Sequence, residues 1–255
     1  MNFGVKSVAT LCALACLACL VFESGAVGAQ ENNAIVPVSK LENDSYDWFA
    51  RHKDVLKVKD TINPEIVMIG DSITHFWGGE PASNHKNGPK AWDQAFGTRK
   101  VLNMGFGWDR TQNVLWRLDN GEFEGLHPKY VVINIGTNNF TGTGNAREST
   151  PPEIAEGIKA ICERIKTKSP DTKIVLMGVF PRGASAKDQF RPKITALNLL
   201  IAEYAKEKNY TFLDIGAKML QPDGSIPRDI MGDATHPTEK GYAIWAEALK
   251  ETLKE

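Results

Sequence analysis

Three stretches of this chain, 66–69, 130–135 and 173–179, are almost wholly apolar and lack polar alternation. Short runs of that kind predict strands buried on both faces, as in a parallel sheet. Stretches 100–103 and 211–213 predict two further strands. Between and around them, apolar positions recur with helical spacing over 46–56, 111–118, 152–168, 186–208 and 238–253. Pro151 and Pro152 suit the first turn of the third of these helices. Strand and helix therefore alternate, which predicts a three-layer α/β/α arrangement around a mainly parallel five-stranded sheet. No repeat, low-complexity tract or linker divides residues 30–255, so a single domain is expected.

Composition narrows the picture. The 255 residues are 24% charged with a net charge of −1, which suits a globular domain and offers no basic surplus for nucleic acid. The first residues read differently. Lys6 precedes an apolar run over 8–22, and small residues follow at Val27-Gly28-Ala29. That is the layout of a signal peptide over 1–29, cleaved after Ala29 to export the rest to the periplasm or beyond. Cys12, Cys16 and Cys19 raise lipoprotein anchoring, but Cys16-Leu17-Ala18 before Cys19 fits the anchoring pattern poorly. Cys162 alone would remain, too few for an internal disulfide, and reads as an apolar filler. Residues 30–40 read as a polar, mobile lead-in.

Four blocks carry chemistry, each at or near a predicted strand end: Gly70-Asp71-Ser72-Ile73, Asn103 to Arg110, Gly136-Thr137-Asn138-Asn139 and Asp233-Ala234-Thr235-His236-Pro237. Parallel strands direct such ends to one edge of the sheet. Ser72 alone could be an ordinary helix cap. A serine nucleophile needs a base, and a carboxylate to orient that base, which His236 and Asp233 supply three residues apart. Acyl transfer also needs oxyanion donors, for which Gly105 offers a backbone N–H and Asn138 a side-chain amide, though both could be plain turn residues. Asp71 reads as a loop-stabilising carboxylate outside the triad. The Gly105-x-Gly107 pattern lacks the third glycine of a dinucleotide loop and the Lys-Ser/Thr of a P-loop.

Together the blocks resemble those of the SGNH (GDSL-type) hydrolases, in the right order over most of residues 30–255. Residues 109–122 and 179–183 are similar to the catalytic subunits of platelet-activating factor acetylhydrolase and to related exported bacterial esterases. The resemblance implies a flavodoxin-like α/β fold, Ser72 as nucleophile, His236 as base, Asp233 as orienter, and an oxyanion hole from Ser72, Gly105 and Asn138. It implies no cofactor and no metal.

Ile73, Thr137 and Thr235 adjoin the catalytic residues, at positions that border a small acyl pocket in the acetylhydrolases. Thr235 stands where those subunits carry a larger apolar residue. Trp77, Trp108, Phe140 and Arg182 are candidates for the leaving-group side, because aromatic faces stack on sugars and Arg binds carboxylate or phosphate. Core packing is the competing reading for Trp77 and Trp108, and the favoured one for Trp116. The expected activity is hydrolysis of short acyl esters, chiefly acetyl, from a small-molecule or saccharide substrate. Lipid acyl hydrolysis, acyl transfer and a non-catalytic carbohydrate-binding module are the alternatives, and a homodimer is left open.

Overall fold

Continuous apolar runs need both faces covered, and the molecule covers them with two helical layers. The computed structural model describes residues 1–4 and 31–254. Helix α1 (Trp48–Ile62) leads into β1 (Ile66–Gly70), the short helix α2 (Ser72–His75) and α3 (Pro89–Phe96). Strand β2 (Val101–Gly105), α4 (Thr111–Asp119), β3 (Tyr130–Asn134) and α5 (Pro151–Lys168) follow. The chain closes with β4 (Lys173–Met177), α6 (Phe190–Glu207), β5 (Thr211–Leu213) and α7 (Glu239–Thr252). From Asn32 onward these elements form one compact unit.

All five strands pair in parallel, in the order β2-β1-β3-β4-β5. Alternation along each strand divides the core in two. Val67, Ile69, Val131, Ile133, Ile174 and Leu176 pack with α1, α4, α5 and α6. Ile66, Met68, Val132, Val175 and Met177 pack with α3 and α7 on the other face. The chain steps from β1 outward to β2 and returns to place β3 on β1's other side. That reversal opens a crevice at the carboxyl end of β1, where sheets of this type bind ligands. Gly70 pairs there with both Gly105 and Asn134, so three of the four chemistry-bearing blocks leave the sheet at the same level.

Some expectations change. Helix α1 is shifted and extended: the Asp47 side chain caps its start, and it runs on to Asn63 in the left-handed conformation (φ 44°). Helix α6 begins at Phe190, whose N–H donates to Asp188 Oδ1 at 3.0 Å, so the preceding residues form a turn. Helix α3, eight residues long, is an element the sequence reading did not include. It is held by Trp92, Ala95 and Phe96, which pack into the α7 side of the core. Residues 31–40 are no mobile lead-in. Thr111 Oγ1 donates to Ala34 O at 2.8 Å, and Asn113 Nδ2 donates to Val38 O and Ser39 O at 3.2 and 2.6 Å. Buried Asn113 would lose these acceptors if the segment moved away. The expected leader, with its cysteines and cleavage point, lies outside the described residues except for 1–4.

Candidate active site

The nucleophile candidate is set on a tight strand-to-helix turn. Asp71 follows β1 and caps α2, its Oδ1 accepting from Ile73 N–H at 2.9 Å. Ser72 is thus the first helical residue and is 7% exposed. Buried Tyr242 of α7 donates from its hydroxyl to Ile73 O at 2.7 Å, which pins the turn from the other side. Ser72 Oγ lies 2.8 Å from His236 Nε2, and His236 Nδ1 lies 2.7 Å from Asp233 Oδ2. The N–H groups of Thr235 and His236 donate to Asp233 Oδ1 at 3.0 and 2.7 Å. Partial burial pushes the Asp233 carboxyl up, but the hydrogen bonds from the His236 backbone and ring outweigh it and hold the carboxyl below its ordinary range. An ionised Asp233 fixes the proton on Nδ1 and leaves Nε2 to accept from the serine. Ala234, between them, takes the left-handed conformation (φ 61°) that folds this turn.

The oxyanion donors need one correction. The Gly105 N–H is spent on Asn103 Oδ1 at 2.8 Å. A Cβ on Gly105 would lie 2.2 Å from His75 N, so glycine is required there for β2 to approach α2 and not to admit a ligand. Gly107 N–H is also taken, by His75 Nδ1 at 3.2 Å. The next residue, Trp108, adopts φ 63°, and its N–H has no acceptor among the described residues. A bulky residue in that conformation carries a penalty of roughly 1–2 kcal/mol, and such strain clusters at functional sites. Ser72 N–H likewise has no acceptor among the described residues. Asn138 Nδ2 donates to Asp109 O at 3.0 Å, leaving its second amide hydrogen for a ligand.

Asp109 is held in turn by a buried charge network. Its carboxylate accepts from Trp48 Nε1 at 2.7 Å and from Arg117 Nε at 2.8 Å. Arg117 Nη1 reaches Glu122 Oε2 at 2.6 Å, and the other Glu122 oxygen lies 2.7 Å from His52 Nδ1. Burial pushes the Asp109 carboxyl up to about 7, against the pull of Arg117.

The remaining wall candidates divide. Ile73 and Thr137 are buried beside Ser72 and Asn138, Thr235 is half-buried, and Trp108 is 36% exposed. Arg182 is half-buried and donates to Thr137 O at 3.4 Å and Thr141 Oγ1 at 2.8 Å, which ties the Asn138 loop to the loop after β4. Trp77 and Phe140 do not face a ligand. Trp77 is fully buried against Trp92, Phe96, Tyr242 and Trp245, and Phe140 lies in the opposite core. Each aromatic gains more from complete burial than from a half-exposed wall position. Sequence reasoning missed Phe76, whose ring centroid lies 5.7 Å from that of His236, and Asn103, which holds α2 through Thr74 O at 2.9 Å and the turn after it through Gly78 O at 2.7 Å. A polar residue inside an otherwise apolar strand was the available signal for Asn103. Among the described residues, no three His, Cys, Asp or Glu side chains cluster to hold a metal ion.

Residues 68–244 match the family described as GDSL-like Lipase/Acylhydrolase. The chain is 33% identical over 224 residues to the platelet-activating factor acetylhydrolase IB subunit alpha2 of Rattus norvegicus, covering 87% of this chain and 90% of that protein. Among solved structures it is similar to a GDSL-like lipase of Bacteroides thetaiotaomicron (TM-score 0.58, 22% identity, 81% of this chain and 98% of that one). It is similar in fold to a variant of an acetyl-xylooligosaccharide esterase of Geobacillus Stearmophilus (TM-score 0.58, 22% identity, 73% and 92% covered). With its strand-end serine block inside the matched region, the chain belongs to the GDSL-like lipase/acylhydrolase family and is a carboxylic ester hydrolase.

Proposed function

We propose that this protein is an exported serine esterase that removes short acyl groups, chiefly acetyl, from carbohydrate. The observation that carries the mechanism is the unbroken chain from Ser72 Oγ through His236 to Asp233, with links of 2.8 and 2.7 Å. Ser72 Oγ attacks the ester carbonyl while His236 Nε2 takes its proton. The oxyanion is met by the N–H groups of Ser72 and Trp108 and by the free amide hydrogen of Asn138. His236 passes the proton to the leaving alkoxide, and Ser72 is left as an acyl ester. Water, deprotonated by His236, then releases the acid.

Two of the similar proteins carry acetyl substrates in their names, one of them an acetylated oligosaccharide. The leader-like composition of residues 1–29 supports export, where polysaccharide would be met. The test is hydrolysis of p-nitrophenyl acetate, butyrate and octanoate by residues 30–255, wild type against Ser72→Ala. Turnover that fades with acyl length and is lost in the variant is expected. Equal activity in Ser72→Ala would sink the mechanism.

A further inference from the structure

We infer that the recess between the start of α1 and residues 75–85 is the subsite for a polyhydroxylated leaving group, a neutral saccharide. The inference rests on the esterase reading above and specifies where the alcohol half of the ester sits. The recess has a volume of about 260 Å³ and is walled by Tyr46 and Asp54 on one side and by His75, Phe76, Asn84 and His85 on the other. It adjoins the reacting pair through one ring. Phe76 lies 5.7 Å from the His236 ring on one side and 5.3 Å from the His85 ring on the other, by centroids. A leaving group passing Phe76 from Ser72 would enter this space.

Its chemistry suits a sugar. Phe76 and Tyr46 present aromatic surface, which favours the apolar face of a pyranose ring. His75 is 2% exposed, and its Nδ1 already accepts from Gly107 N–H, so the ring proton sits on Nε2. Burial, with the Arg51 charge adding to it, pushes that imidazole down to about 2, so it stays a neutral donor. Nε2 has no partner among the described residues, and His75 lines the recess. The Asn84 amide adds donor and acceptor, and the Asp54 carboxylate accepts from hydroxyls.

An anionic group fits less well. Arg51, the cation in the wall, spends its guanidinium on Gly105 O, Pro81 O and Asn103 O at 2.7, 3.1 and 3.1 Å. The charges left facing the space are the carboxylates Asp47 and Asp54. A quaternary ammonium would meet those carboxylates and rings but leave the His75 and Asn84 donors unpaired, which sites built on hydrogen bonds reject.

The test is steady-state kinetics of residues 30–255 and of Asp54→Ala and Asn84→Ala on acetylated xylo-oligosaccharide, acetylcholine and p-nitrophenyl acetate. Both substituted residues are exposed, so folding should survive. Loss of one good hydrogen bond should raise KM for the saccharide about tenfold with kcat little moved, lowering the saccharide-to-aryl ratio of kcat/KM by the same factor. A ratio unchanged in both variants, with the saccharide still turned over, would overturn the subsite and leave the esterase reading intact. A ratio that moves for acetylcholine and not for the saccharide would overturn the saccharide as occupant. Wild type that cleaves the aryl ester but no acetylated saccharide would overturn both the subsite and the carbohydrate assignment.

Discussion

Replacing Arg117 by Met measures how much the buried charge network contributes to fold and site. The guanidinium donates to Asp109 Oδ2 at 2.8 Å and Glu122 Oε2 at 2.6 Å, with all three side chains at most 1% exposed. It also lies 4.0 Å over the Phe106 ring. Met would fill much of the space and remove the charge, stranding two carboxylates in the core. Breaking a buried pair from one side costs about 3–5 kcal/mol. For a domain of this size each kcal/mol moves Tm by about 2–4 °C, so a fall of roughly 6–20 °C is expected. Lys240→Ala is the matched control, because the Lys240 and Asp229 side chains are 66% and 61% exposed. An exposed pair contributes about 0–1 kcal/mol, hence roughly 4 °C at most.

Thermal unfolding followed by circular dichroism reads both variants directly. The loss in Arg117→Met should be smaller at pH 5 than at pH 8. Burial already pushes the Asp109 carboxyl up to about 7, and an orphaned acid can take up a proton at the lower pH. Adding Asp109→Asn to Arg117→Met should recover part of the loss, since the amide oxygen can still accept from Trp48 Nε1. Neighbours in one network couple by about 0.5–3 kcal/mol. Activity should fall too, because Asp109 O holds Asn138 in place. A Tm drop no larger than that of Lys240→Ala would refute the account of this network.

Three further outcomes are expected. Asn138→Ala should lower kcat by roughly 10²–10³ with KM little changed, the signature of losing one oxyanion donor; a rise in KM alone would make Asn138 a ground-state contact. Burial pushes the Asp71 carboxyl up from 3.8 to about 7, and its Oδ2 has no partner among the described residues. A folded-state value above the unfolded one means stability that is full below about pH 4 and is lost as pH rises toward 7. Asp71→Asn mimics the protonated acid, so the difference in urea stability between pH 5 and pH 8 should shrink, and a wild-type difference would refute the assignment. Gly105→Ala would put a Cβ 2.2 Å from His75 N and 2.6 Å from Thr74 C, forcing β2 and α2 apart. Loss of about 1–3 kcal/mol or more is expected in denaturant titration, with kcat reduced as the Ser72 turn shifts.

The strands and the four chemistry-bearing blocks are legible because each is a local pattern. A strand buried on both faces is apolar along most of its length, and Asp233 and His236 lie within one turn. What the sequence hid is set by tertiary geometry. Gly105 closes β2, and Trp108 follows three residues later in a loop whose hydrogen bonds are invisible in one dimension. Glycine is read as a donor position by habit, whereas here the glycine serves a close approach and a tryptophan takes the strained conformation. Trp77 and Phe140 are candidates in the sequence because aromatic faces stack on sugar rings. Phe140 turns away two residues after Asn138 and Trp77 five residues after Ser72, into opposite cores.

Polar groups that remain open at this site depend on others that are closed. An unpaired, partly buried N–H is costly, and a flexible loop would collapse to satisfy it. Here the competing partners are already occupied. Asn103 takes Gly105 N–H, His75 takes Gly107 N–H, Asp71 takes Ile73 N–H, and Asp109 O takes one hydrogen of Asn138. Asn139 fastens the other loop by accepting from Thr111 N–H at 3.0 Å and donating to Gln112 Oε1 at 3.0 Å. With these bonds made, the N–H groups of Ser72 and Trp108 have no acceptor among the described residues to turn toward. Donors held open in that way need no reorganisation when negative charge develops on a substrate oxygen, which is the condition for strong transition-state stabilisation. It follows that substitutions in this closed shell should lower kcat more than they raise KM, even where they touch no substrate.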